Sequence, residues 1–127
     1  MNELFKEFEF NKKTEYTINE INGNLLPKDY LNFMLEHNGG EGNVGNNSYM
    51  QILKLEELID YNNDYDIFKL FPTCFAFETD LGGNHFCYNF ENKEYFAIDS
   101  INISLEDAYC EASSLYDFIV KWDKQDY

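Results

Sequence analysis

The chain has 127 residues, 44% of them hydrophobic, with 12 Phe, 10 Tyr and 1 Trp; nine cations, all lysine, against 24 acids leave a net charge of −15. The aromatic content excludes intrinsic disorder, because large rings bury enough apolar area to offset the cost of ordering the chain. A field of this sign repels nucleic acid and anionic membranes and speeds encounter with basic proteins, although an acidic surface also serves solubility alone.

The length predicts one domain over residues 1–127. The longest apolar runs are only a few residues, such as Cys74-Phe75-Ala76-Phe77, so no segment is expected to span a bilayer. Met1-Asn2-Glu3-Leu4-Phe5 lacks the basic start and apolar stretch of a signal peptide, and cytoplasmic residence is the expectation. Cys74, Cys87 and Cys110 are an odd number at wide spacing and predict buried reduced thiols rather than a disulfide framework.

In chain order, Leu4, Phe5, Phe8 and Phe10 follow neither the helical nor the strand period, leaving a short helix or an arm. Thr17-Ile18-Asn19-Glu20 has the spacing of a capping box and predicts a short helix stopping near Gly23, with Ile18, Ile21 and Leu25 on its buried side. Pro27 suits the first position of a second helix, 28–37, and Asp29 suits its positive end. Tyr30, Phe33, Met34 and His37 recur at i, i+3, i+4, i+7, with Leu31 and Leu35 widening the stripe; Asn38-Gly39-Gly40 supplies a left-handed stop.

Glu41 to Ser48 reads as a polar loop, 49–53 as a strand, Leu55 to Ile59 as a short acidic helix and Asp60 to Asp66 as a polar turn. A strand over 73–79, a turn at Leu81-Gly82-Gly83-Asn84 and a half-buried strand over 85–90 follow, the last marked by Phe86, Tyr88 and Phe90 alternating with His85, Cys87 and Asn89. Glu91-Asn92-Lys93 turns the chain into a strand over 95–99. Ser104 with Asp107 and Ser114 with Asp117 are cap spacings, the second opening a helix over 115–122 with Leu115, Phe118, Ile119 and Trp122 on one face. The order of elements predicts an α+β fold, a mainly antiparallel sheet flanked by helices, with Leu26, Tyr30, Phe33 and Phe118 in the core.

No constellation assembles a catalytic centre. His85 has Asp80 near it in sequence, but a nucleophile and an orienting group are missing. His37-Asn38 begins a His-Asn-His pattern that lacks its second histidine. His85 and Cys87 share a strand face and Cys74 lies across the hairpin, fewer than the four ligands zinc normally takes. Asp60, Asp64 and Asp66 lack the glycine and terminal Glu of a calcium loop, and Gly39 to Gly45 lacks the Gly-Lys-Ser/Thr of a phosphate cradle. Catalytic residues, metal and cofactor are therefore all expected to be absent. Tyr61 and Tyr65 among Asp60, Asp64 and Asp66 point instead to a protein-binding surface, since tyrosine supplies rigid amphipathic contact area and carboxylates select a cationic partner.

The stretch Glu20 to Gly40, with Gly23, Leu26-Pro27, Tyr30, Phe33 and Asn38-Gly39-Gly40, resembles the opening of the SUKH superfamily. More narrowly, it resembles the branch named after a yeast cell-wall assembly regulator. Phe75 to Tyr88, carrying Gly82-Gly83, resembles the second mark of that family, and Ser114 to Ile119 its last helix, so the likeness runs over 17–122. Leu81 departs from it, standing where many members have a small residue. The resemblance implies a compact α+β domain without an active site. In bacteria it implies an immunity protein that neutralises a polymorphic toxin, frequently a nuclease, by stoichiometric binding. The expected partner is thus a basic toxin domain, with self-association left open. A regulatory adaptor of the same fold and an acidic DNA mimic are the rival readings.

Overall fold

The computed structural model describes residues 3–101 and 104–125. Along them lie strands β1 (Phe8–Phe10), β2 (Glu20–Ile21), β3 (Asn24–Leu25), β4 (Gly40–Val44), β5 (Ser48–Ile52), β6 (Cys74–Thr79), β7 (Asn84–Asn89), β8 (Glu94–Asp99) and β9 (Tyr109–Ala112). The helices are α1 (Lys28–Glu36), α2 (Leu58–Asp64), α3 (Ile67–Leu70) and α4 (Leu115–Lys124). Seven strands form one antiparallel sheet in the order β1-β4-β5-β6-β7-β8-β9, so the expected α+β architecture is what the chain adopts.

Apolar runs separated by short polar turns account for the centre of this sheet. β6, β7 and β8 are joined by tight connections, and Lys93 turns the second of them with a left-handed backbone (φ 60). In the first, Leu81 (φ 58) and Gly83 (φ 103) take the left-handed positions and Gly82 does not. Leu81, the residue that departs from the family pattern, thus occupies a conformation that favours glycine. β7 is buried on both faces rather than one, because helices cover both sides of the sheet. Tyr30 of α1 packs edge-on to Phe75 and Phe77 at 5.5 and 5.3 Å, and Phe118 and Trp122 of α4 reach Phe86 at 5.3 and 4.6 Å. On the other face Ile67 and Phe71 close over Cys74, Ala76, Cys87 and Ile98. Leu26, Tyr30, Phe33 and Phe118 are all core residues.

Several local expectations yield to tertiary packing. The segment after Thr17 is a two-stranded hairpin, not a capped helix: Asn22 (φ 49) and Gly23 (φ 82) make the two-residue turn that Asn-Gly favours. β1 replaces the arm or helix, and β4 replaces the first half of the loop expected from Glu41. Asn38-Gly39-Gly40 does not cap α1, which ends with an extended His37 at its C-cap. The glycines serve close approach: a β-carbon at Gly39 would overlap the Ile52 carbonyl, and one at Gly40 the Glu9 carbonyl. Asn38 is buried, its Oδ1 accepting from Leu55 N–H at 2.9 Å and its Nδ2 donating to Glu56 at 2.7 Å. The α1 stripe excludes Leu35, which is exposed, and Pro27 stands at the N-cap, one residue before the helix.

The register between β6 and β7 slips by one residue between Ala76 and Glu78. Cys74 and Ala76 face α3, whereas Phe77 and then Glu78, paired with Phe86, face the core beneath α1 and α4. A bulge re-aims every later side chain on its strand. Here it drives a carboxyl group into the main core and brings Thr79 onto the opposite face beside His85. Both Glu78 carboxyl oxygens and Tyr30 Oη lack a hydrogen-bond partner among the described residues, and burial raises Glu78 well above the usual carboxylate range.

Candidate functional site

The acidic segment Asp60 to Asp66 is mostly helix, not a turn. A 3-10 turn at Leu55–Glu57 runs into α2, where Leu58, Tyr61, Asn62 and Tyr65 recur at i, i+3, i+4, i+7. What holds α2 in place is Asn62, which is fully buried. β5 pairs with β6 only at Gln51–Thr79 and Ile52–Glu78, so the Ala76 edge has no neighbouring strand. The Asn62 carboxamide supplies both missing bonds, its Nδ2 donating to Ala76 O at 2.8 Å and its Oδ1 accepting from Ala76 N–H at 2.7 Å.

This placement separates the five predicted surface residues. Asp60 and Asp64, one helical turn apart, are exposed, and Asp66 is exposed with a left-handed backbone (φ 57) where α2 gives way to α3. Tyr61 and Tyr65 turn instead toward the sheet. Their rings lie 4.7 Å apart, and each packs on His85, at 5.5 and 4.6 Å. Tyr61 Oη meets His85 Nδ1 at 2.5 Å, while His85 Nε2 is buried without a hydrogen-bond partner among the described residues. Burial pushes His85 below its ordinary value despite the opposing pull of Asp80 and Asp99, so the ring is neutral near pH 7. Burial likewise pushes the Tyr61 hydroxyl up.

Tyr61, Tyr65 and His85 form the aromatic side of a cleft of about 280 Å³, whose remaining walls come from Gln51, Leu81 and Ser100 among others. Asp80 is occupied in ordering the β6–β7 turn, its Oδ1 accepting from Gly82 and Asn84 N–H at 2.8 and 3.1 Å. No hydrogen bond joins Asp80 to His85 among the described residues, so the pair is not an acid–base dyad. His85 was not legible as the partner of the tyrosines. The one usable signal was the helical spacing Leu58, Tyr61, Asn62, Tyr65, which turns two tyrosines to one side.

The thiols are protonated: burial pushes Cys74 up to about 11 and Cys87 well above its ordinary value. Among the described residues no group of three or more His, Cys, Asp or Glu side chains is arranged to hold a metal ion. A second cleft, about 350 Å³, lies between β1 and α1, where Phe10 stacks on His37 at 4.0 Å. Its Asp29 is engaged elsewhere, accepting from Tyr95 Oη at 2.6 Å and from the first N–H of α4, at Leu115, at 2.8 Å. Among the described residues no lysine lies within 4.0 Å of a carboxylate, so the acidic surface is not neutralised by close lysine pairs. No described helix is long and apolar enough to cross a membrane.

No curated protein matches the chain. Residues 15–121, however, match the SMI1 / KNR4 family (SUKH-1), a span that runs from just before the β2–β3 hairpin almost to the end of α4. With that match over most of its length, in the fold and with the motif positions described above, the chain belongs to the SMI1 / KNR4 family (SUKH-1).

Proposed function

We propose that this protein is an immunity protein, which binds a basic toxin domain of the nuclease kind one-to-one in the cytoplasm and neutralises it by contact rather than by catalysis. Members of the family are in general non-catalytic immunity or regulatory proteins that act on partner proteins. The observation that carries the reading is an uncompensated charge of −15 set beside a half-exposed tyrosine pair on α2. Asp60, Asp64 and Asp66 form the outer, steering part of the surface, and Tyr61 and Tyr65 its anchor. Long-range attraction of this kind raises the association rate, and a desolvated ring slows dissociation.

The test is co-expression with the nearest candidate toxin found encoded beside it. Cells survive the toxin only with this protein present, and the two purify as a 1:1 complex. Raising salt slows association and leaves dissociation nearly unchanged. Asp64→Lys with Asp66→Lys weakens binding and removes protection at normal protein levels, since exposed charges contribute little to folding. Tyr65→Ala speeds dissociation, at a cost of about 2 kcal/mol. If no co-encoded toxin is bound, the immunity reading fails and a regulatory adaptor of the same fold takes its place.

A further inference from the structure

We propose that the cleft between the end of α2 and the β6–β7 turn is a receptor for a single arginine side chain of the basic partner. The partner's identity rests on the immunity reading; the chemistry of the cleft does not. Tyr65 is 47% exposed and its ring lies tilted against Tyr61, so the cleft presents aromatic faces to an incoming group. A cation over such a face is held by the ring quadrupole, more strongly where water is excluded. Asp80 and Asp99 lie close enough to act on His85, and no cation neutralises either among the described residues. Gln51 and Ser100, both polar residues, also line the walls. His85 is 2% exposed, lines the cleft, and carries a buried Nε2 without a partner among the described residues. In the neutral tautomer whose Nδ1–H donates to Tyr61 Oη, Nε2 is left as an acceptor, and the ring carries no positive charge to repel a cation.

Guanidinium fits these features better than ammonium. It is planar, so it stacks on tyrosine, and its five donors serve several acceptors at once, whereas a lysine head is a compact, strongly hydrated point charge. A second copy of this chain is not the occupant, because the sequence contains no arginine.

The experiment titrates isotope-labelled full-length protein with N-acetyl-arginine amide at low ionic strength, alongside the neutral isostere N-acetyl-citrulline amide and N-acetyl-lysine amide. Arginine amide should give saturable resonance shifts confined to Tyr61, Tyr65, Leu81, His85 and Ser100. Citrulline amide should give none, and lysine amide should bind about fivefold more weakly. Tyr65→Phe should retain binding and Tyr65→Ala weaken it about fivefold or more, with the remaining spectrum unchanged. Asp99→Asn keeps the bond that Ile101 N–H donates to Oδ1 while removing the charge, and should also weaken binding. Shifts that are diffuse and unsaturable, an equal response to lysine amide, or an indifferent Tyr65→Ala would each overturn the proposal. No toxin enters this titration, so its failure leaves the immunity reading to the co-expression test. Arginine binding without a toxin partner would retain the receptor and discard the immunity reading.

Discussion

The Asn62 carboxamide holds Ala76 by both backbone groups, standing in for a neighbouring strand at the point where β5 leaves β6. Asn62→Ala should therefore strand a buried N–H and a buried C=O together and cost about 3 kcal/mol in chemical denaturation; a loss below about 1 kcal/mol would show that water replaces the side chain. Glu78 is the opposite case, a buried carboxyl that gains no bond among the described residues and that burial holds well above the usual carboxylate range, beside Tyr30 and within the field of Asp80. The unfolded chain releases the carboxyl proton near its ordinary value of 4.5, so above this pH the folded state binds more protons than the unfolded one. Stability should accordingly fall as pH rises above 4.5, by about 1.4 kcal/mol per unit until the raised folded value is reached. His85 acts in the other direction, its lowered folded value removing stability as pH falls below 6.5. The Glu78 contribution is thus read as the difference between the native protein and Glu78→Gln, which should abolish the Glu78 slope and be the more stable at neutral pH.

At the scale of elements, α1 is held from two sides by different residues. Tyr30 packs on the sheet, whereas Phe33 faces the N-terminal strand, 5.7 Å from Phe5 and 6.1 Å from Phe10. Phe33→Ala should cost about 3 kcal/mol, as buried aromatic truncations do, and hydrogen exchange should quicken first at β1 rather than in β6–β8. Unchanged protection at β1 would mean that pairing with β4 alone holds the arm. The same edge explains Gly40, whose missing side chain admits the Glu9 backbone. Asp29 joins the two long helices, taking the first N–H of α4 while sitting in the first turn of α1.

For the whole molecule, 24 acids face nine lysines, and among the described residues no lysine lies within 4.0 Å of a carboxylate. Self-repulsion of that size opposes compaction, and salt screens it within a Debye length of about 10 Å at 0.1 M. Urea midpoints should therefore rise with added sodium chloride, gaining on the order of 1 kcal/mol between low and roughly 0.5 M salt. A fall instead would show that attractive pairs dominate the surface. Salt should thus act in opposite directions on the two properties, strengthening the fold while slowing encounter with a basic partner.

Periodicity and turn chemistry act over a few residues, and what depends on them alone was legible in the sequence. The β6–β7–β8 meander, α1, and α4 with its Ser114 cap follow from apolar spacing, turn residues and helix-start signals, within one or two residues at most ends. The family resemblance belongs here too, because it rests on order and spacing. What required the tertiary structure is whatever depends on a distant neighbour. β4 is glycine-rich and polar, and it is a strand because β1 and β5 flank it. Asn62 is buried because β6 has a bare edge. Glu78 faces the core because a bulge one residue earlier inverts the alternation. Asp60, Asp64 and Asp66 stand apart from Tyr61 and Tyr65 because helical rotation sends adjacent residues to different sides. The cleft joins residues from β5, the end of α2, the β6–β7 hairpin and Ser100 just past β8, and no local pattern encodes the approach of α2 and β5 to that hairpin.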